Sequence, residues 1–217
     1  MSNTTDSFIE EVTEEVRRDR LYRLLRRYGW IGIAAVLLLV GGAALTEWRR
    51  ASERAAAEAA GDAIYAALAS GQPGERAAAL AALGVTGPGS APVAMLEAAS
   101  LTEAGETERA AELYAALAAD AGHPRVWRDL AVLKRVLLLG RSLAPADRIA
   151  ALDPLTTPGA PFRVLALEQQ AHAHLDAGAR DTALDLLRAL LTDEEASPGL
   201  RLRVAQLMVA LGEEAEG

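Results

Sequence analysis

Residues 28–46 read Tyr-Gly-Trp-Ile-Gly-Ile-Ala-Ala-Val-Leu-Leu-Leu-Val-Gly-Gly-Ala-Ala-Leu-Thr, an apolar run without a charged side chain. At a rise of 1.5 Å per helical residue the run spans about 28 Å, close to the ~30 Å hydrocarbon core of a bilayer. A helix satisfies all backbone polar groups of a single segment in lipid. The run therefore predicts one N-terminal transmembrane helix, and the alternative is a buried core helix of a soluble protein.

Aromatic and basic residues flank this run at both ends. Aromatic rings with a polar edge prefer the headgroup level of a membrane, and basic side chains lie beside them on the cytoplasmic side. We therefore extend the predicted span to residues 28–48. The residues predicted at the membrane interface are Arg26, Arg27, Tyr28, Trp30 and Trp48.

The arginines on the two sides of the span are unequal in number. Those that closely precede it are Arg17, Arg18, Arg20, Arg23, Arg26 and Arg27, and those that follow are Arg49, Arg50 and Arg54. This excess predicts a cytoplasmic N-terminus and a translocated C-terminal domain, which in a bacterium means the inner membrane and the periplasm. A signal peptide cleaved after Ala43 is the alternative, but its leader would not be acidic as well as basic.

Residues 1–27 predict a charged amphipathic helix on the cytoplasmic side. Ser7 and Glu10 have the spacing of a capping box at its start. An apolar stripe follows at helical spacing and consists of Phe8, Ile9, Val12 and Val16. Two interpretations stay open: a solvated helix that only sets the orientation, or a docking helix for a partner.

The predicted periplasmic domain, residues 49–217, is rich in alanine and acidic in charge. Beyond residue 54 the chain has 13 basic and 22 acidic residues, a formal charge of -9. Nucleic-acid binding needs a basic surface, so this balance argues against it. Gly- and Pro-containing breakers separate segments of helix-forming residues, and β-branched runs are absent from the sequence. The fold class predicted is all-α, built from antiparallel helix pairs.

An internal repeat organises this domain. The residues Ala98, Gly105, Ala110 and Tyr114 recur 73 positions later as Ala171, Gly178, Ala183 and Leu187. Small residues allow two helices to approach closely, glycine ends the first helix in a left-handed conformation, and the large residue fills the space toward the next pair. Trp127 begins an intermediate unit, whose second helix is predicted at residues 145–152. The pattern resembles the tetratricopeptide repeat and predicts an α-solenoid.

The order of the parts resembles the bacterial YfgM-like proteins, which are ancillary subunits of the Sec translocon. Residues 96–136 carry the strongest resemblance, and within them residues 129–135 read Asp-Leu-Ala-Val-Leu-Lys-Arg, near the family's Asp-Leu-Ala-x-Leu-Arg-x pattern. The resemblance implies an inner-membrane protein with a chaperone-like role near the translocon. Its implied partners are translocon subunits or secreted and membrane client proteins.

The repeat register also predicts a protein-binding groove lined by the first helix of each pair. The residues predicted to line it are Met95, Ala99, Arg128, Val132, Arg135, Glu168 and His172. A groove that is apolar at one end and basic in its middle suits extended or partly folded protein segments. The alternative is that Arg128 and Arg135 only pair with acids such as Asp129 or Glu97.

The sequence contains no recognised catalytic constellation. His172 and His174 are two residues apart, so on a helix they point to different faces and are poorly placed to chelate one metal. We expect no enzyme activity, no cofactor, no metal and no small-molecule substrate. The predicted function is a membrane-anchored protein-interaction module, a translocon-associated chaperone or scaffold. The alternatives are a structural accessory subunit of another inner-membrane complex, such as a respiratory complex, and an envelope-biogenesis coordinator.

Overall fold

The computed structural model describes the backbone of residues 3–213 and the side chains of residues 26, 27, 30–32 and 34–213. The predicted capping box, the N-terminal apolar stripe, the arginines before Arg26 and the interface position of Tyr28 lie outside the described side chains. The chain divides into two compact units, Met1–Ala60 and Gly61–Gly217.

Within the described residues every regular element is a helix and no strand occurs, which confirms the all-α prediction. The α-helices are α1 (Asn3–Leu68), α2 (Pro73–Ala82), α3 (Ser90–Glu103), α4 (Thr107–Ala119), α5 (Arg125–Leu139), α6 (Pro145–Leu152), α7 (Arg163–Asp176), α8 (Arg180–Thr192) and α9 (Pro198–Ala210). Short 3-10 turns occupy Gly87–Gly89, Gly140–Ser142 and Asp153–Leu155.

One described helix segment, Trp30–Leu68 of α1, is long and apolar enough to cross a membrane. None of the residues in its most apolar stretch is buried within the protein, whereas the core helix of a soluble domain is mostly buried. The side chains of Trp30 and Trp48 are 66% and 68% exposed. A single candidate membrane helix near the N-terminus is consistent with the predicted single-pass protein.

In the second unit most helices pack against the next helix along the chain. α2 packs on α3, α3 on α4, α4 on α5, α6 on α7, α7 on α8 and α8 on α9. The alanines predicted at close helix contacts, Ala98, Ala110, Ala171 and Ala183, are fully buried, and so is Ala131 of α5. A side chain of one carbon lets two helix backbones approach, so these positions fix which helix faces meet.

Glycine ends three of these helices in the same way. Gly105 has φ +80° after α3 and Gly178 has φ +78° after α7, the left-handed conformation predicted for both. The next N–H donates back across the turn, from Glu106 to the Leu101 carbonyl (2.9 Å) and from Ala179 to the His174 carbonyl (2.8 Å). Gly212 repeats this turn after α9 with φ +81°, and it lies 34 residues after Gly178.

The helix bounds agree with the sequence prediction at the second helix of the middle unit, and they differ at the starts of α2, α3 and α9. The second helix of the middle unit lies at Pro145–Leu152, where it is predicted. The Gly- and Pro-containing breakers at residues 71–74, 84–92 and 197–199 are predicted to separate helices, whereas α2 begins at Pro73, α3 at Ser90 and α9 at Pro198. Proline is tolerated in the first turn of a helix because the N–H it lacks would have no intrahelical acceptor there.

Candidate functional site

An open pocket of about 360 Å³ lies between α3 and α5, with α4 at its floor. Its lining residues are Ala99, Thr102 and Glu103 of α3, Tyr114 of α4, and Lys134, Leu137 and Leu138 of α5. Leu137 is 49% exposed, so an apolar side chain at the pocket is accessible to a ligand.

Tyr114 forms the floor because small residues leave space for its ring. It belongs to one buried cluster with Ala98 of its own helix pair and Ala131 of the next. Burial raises the pKa of the Tyr114 hydroxyl above its usual value, and a hydrogen bond with the Thr102 side chain opposes that rise. The phenol is therefore neutral at physiological pH and contributes a polarisable wall rather than a charge.

The two charged residues of the pocket differ in their pairing. Glu103 of α3 forms an ion pair with Arg76 of α2. Lys134 is exposed, and within the described part of the chain it has no ion pair. It is also the only lysine in the sequence. The pocket therefore presents an apolar wall beside one ammonium group whose charge is not neutralised.

The seven residues predicted to line one groove lie in different surroundings, and the groove itself stays a prediction. Ala99 lines this pocket, and Met95 packs partly buried against the cluster around Tyr114. Val132 packs on a different cluster, with Leu152 and Ala166.

Glu168 and His172 both belong to α7. Glu168 is buried and accepts two hydrogen bonds from Arg203 of α9, at 3.0 and 3.1 Å. His172 is half-buried. Of the seven residues, Ala99 alone is in the pocket lining.

The rotation of α5 about its axis explains this difference. Trp127, Ala131 and Leu138 contribute to the cluster with α3 and α4, and Lys134 lies on the same side at the pocket. Their spacing of four, three and four residues marks one face of a helix. That spacing can be read from the sequence, and it would have assigned Lys134 and Leu138 to the face of α5 that lines the pocket.

Arg128 and Arg135 pair with neither of the acids considered for them. The Asp129 carboxylate accepts a hydrogen bond from the Arg125 Nε at 3.2 Å. Burial raises the pKa of Glu97, and the nearby charge of Arg109 opposes that rise. The Nε atoms of Arg128 and Arg135 are buried and have no hydrogen-bond partner.

The acids that anchor α7 to its neighbours are paired with arginines from distant positions. Arg163 donates to the Asp193 carboxylate at 2.6 Å, and this hydrogen bond lowers the pKa of Asp193. Arg148 donates to Asp176 at 2.7 Å and lowers the pKa of that carboxyl in the same way. These carboxylates are already paired and therefore serve the fold rather than a ligand.

A second cavity of about 630 Å³ lies between the loop before α3 and the loop before α5. Its lining residues are Val85, Thr86, Gly87, Pro88, Ser90, Asp120, Gly122, His123 and Pro124. The Nε2 atom of His123 lies 3.4 Å from an Asp120 oxygen. The groove prediction contains none of these residues, because they connect helices or begin α3, whereas the repeat register describes positions within helices.

The described residues include no group of three or more His, Cys, Asp or Glu placed to hold a metal ion. The chemistry available at the α3–α5 pocket is the burial of an apolar group beside an ammonium. Comparison of the chain with known proteins gives no match to any family model, curated protein or solved structure.

Proposed function

We propose that this protein is a single-pass inner-membrane protein whose helical domain binds other proteins, as a translocon-associated chaperone or scaffold. The observation that carries the proposal is the α3–α5 pocket, where an exposed leucine lies beside a lysine that has no ion pair among the described residues. Protein ligands supply both an apolar side chain and a nearby carboxylate. The apolar N-terminal helix supports attachment of this domain to a membrane.

A solenoid of tetratricopeptide type is part of this proposal. Its support is the 34-residue step between the glycine turns at Gly178 and Gly212, which equals the period of that repeat. Fully buried alanines at Ala98, Ala131 and Ala171 agree with one repeating contact between helices. In such a solenoid the pocket lies between the first helices of two successive pairs.

The topology of the proposal gives a first prediction. The arginines before the span outnumber those after it, so the N-terminus is expected in the cytoplasm and the C-terminal domain outside it. Alkaline phosphatase is active only after translocation. A fusion after Gly217 is therefore expected to be active, and a fusion at Arg27 is expected to be inactive. Reporter activity in living cells is the measurement, and a cytoplasmic reporter such as green fluorescent protein gives the complementary signal. The reverse pattern would show that the orientation is wrong. An intact mass that starts beyond Ala43 would establish the cleaved signal peptide instead.

Protein binding at the pocket gives a second prediction. A photo-reactive amino acid at Leu137 is expected to cross-link to a partner in intact cells, because this side chain is exposed at the pocket. The matched control is the same residue at Ala189, which is exposed on α8 outside the pocket. Cross-linked and detergent-purified complexes are identified by mass spectrometry.

The identity of the captured protein separates the candidate functions. Translocon subunits or their client proteins support the proposal, and a respiratory complex supports the accessory-subunit alternative. Equal cross-linking from residues 137 and 189 would show that the pocket has no special role.

A further inference from the structure

Unpaired cations in the second unit are concentrated on α5. The arginines of this unit that bind a carboxylate are Arg76, Arg109, Arg125, Arg141, Arg148, Arg163, Arg180, Arg188 and Arg203. Arg201 donates to the backbone carbonyl of Asp193 at 2.7 Å. Among the described residues beyond position 60, the cations with neither a carboxylate nor a carbonyl partner are Arg128, Lys134 and Arg135, and all three belong to α5.

Arg128 and Arg135 lie on one side of this helix. Residues seven apart in an α-helix differ by about 20° in direction and by about 10 Å along the axis. One face of α5 packs on α3 and α4 through Ala131, and another packs on α6 and α7 through Leu133 and Val136. The arginine pair falls between these two packed faces, whereas Lys134 belongs to the pocket side.

This arrangement leaves two charges without compensation in a half-buried position. Both residues are partly buried, and the Nε–H of each is buried without an acceptor; Arg148 shares the buried Nε–H but donates to Asp176 through Nη2, which Arg128 and Arg135 do not do with any described acid. A buried donor that has lost water and found no acceptor destabilises the fold, and more so when it is charged. Arg125, Arg141, Arg163 and Arg203 each direct Nε at a carboxylate. The chain has an excess of acids, yet none of those in the described part reaches Arg128 or Arg135.

We propose that Arg128 and Arg135 together bind an acidic segment of another protein through two carboxylates about 10 Å apart. The proposal rests on the proposed function insofar as the ligand is a protein, but it concerns a different side of α5 from the pocket. A guanidinium donates two parallel hydrogen bonds to one bidentate carboxylate. An extended chain places carboxylates three residues apart at up to about 10 Å, which matches the two arginines.

Charge complementarity favours a protein segment over other anionic ligands. Nucleic acids and anionic membranes present continuous charge and need a broad basic surface. Here two arginines stand in a domain of formal charge -9 beyond residue 54, a balance that provides no broad basic surface. Two discrete carboxylates on a short segment fit two discrete guanidinium groups.

The test uses the full chain in detergent and a fluorescent peptide of four Glu-Gly-Ser units, read by fluorescence anisotropy at low salt. The Arg128→Gln, Arg135→Gln double variant is expected to bind this peptide at least about tenfold more weakly, because it loses both charge-assisted contacts. The matched control is Arg109→Gln with Arg188→Gln, which removes the same charge from two exposed, already paired arginines. The control is expected to change affinity less than about twofold, and a Gln-Gly-Ser peptide is expected not to bind.

Three results would overturn the proposal: an equal loss in both double variants, no loss in either, or binding of RNA or anionic vesicles through these arginines in place of the peptide. Circular dichroism checks that each variant is folded. If the double variant is unfolded, Arg135→Glu alone decides, since it should lose binding of the acidic peptide and gain binding of a Lys-Gly-Ser peptide.

Peptide binding without any co-purified partner would refute the proposed function and leave this inference standing. A partner protein that co-purifies although the peptide does not bind would support the proposed function and refute this inference.

Discussion

Replacement of Leu187 by alanine is expected to lower the free energy of unfolding by about 2–5 kcal/mol, as is usual for a fully buried leucine. Leu187 of α8 has no exposed surface and packs in a cluster with Leu190, Leu200 and Val204. Truncation removes apolar contacts and leaves a cavity that α7, α8 and α9 surround. The measurement is urea unfolding of the full chain in detergent, followed by circular dichroism of the helical signal.

The matched control for this variant is Leu202→Ala on α9. Leu202 is 60% exposed, so its truncation should change the free energy of unfolding by less than about 0.5 kcal/mol. A Leu187→Ala variant as stable as the control would mean that α8 and α9 do not pack through this residue. The proposed repeat would then lack the contact between α8, the second helix of its pair, and α9, the first helix of the following unit.

The sequence alone predicts much of this fold, because its strongest signals are local. Gly105 and Gly178 end helices where a left-handed residue is required, and both do so with positive φ. Pro145 and Leu152 bound the predicted second helix of the middle unit. The buried alanines were also identifiable, since a small residue repeated at fixed steps marks a close contact between helices.

The rotation of α5 about its own axis could not be fixed by the same local signals. The repeat register assigns Arg128 and Val132 to a shared groove with Ala99, which stays a prediction, and the structure adds that Val132 packs toward α6 and α7. The short α6 has only two turns, so α5 packs on residues Leu155 and Ala166 beyond it. Contacts between elements distant in sequence decide this rotation, and a period of 34 residues does not encode them.

The ionic contacts were equally inaccessible from spacing. Arg148 is buried, and its partner Asp176 lies 28 residues further along the chain. Arg163 holds Asp193 at a separation of 30 residues. Any of the many acids could serve each arginine until the helices are placed in space. For that reason the unpaired state of Arg128 and Arg135 emerges only from the structure.

The close contact between α7 and α8 leads to the second stability prediction. Ala183 has no exposed surface, and the repeat pattern makes it a position of close helix approach. Leucine at this position adds three carbon atoms where the packing leaves no space, so Ala183→Leu is expected to destabilise the fold by about 1–3 kcal/mol.

The control for Ala183→Leu is Ala189→Leu, which makes the same change on the exposed side of α8. Helix propensity is equal at the two positions, so any difference in their unfolding free energies reports the packing of residue 183 alone. We expect the Ala189→Leu variant to melt within a few degrees of the unsubstituted chain and the Ala183→Leu variant to melt well below it. If the two variants melt together, α7 and α8 do not meet at Ala183, and the proposed repeat register must shift along both helices.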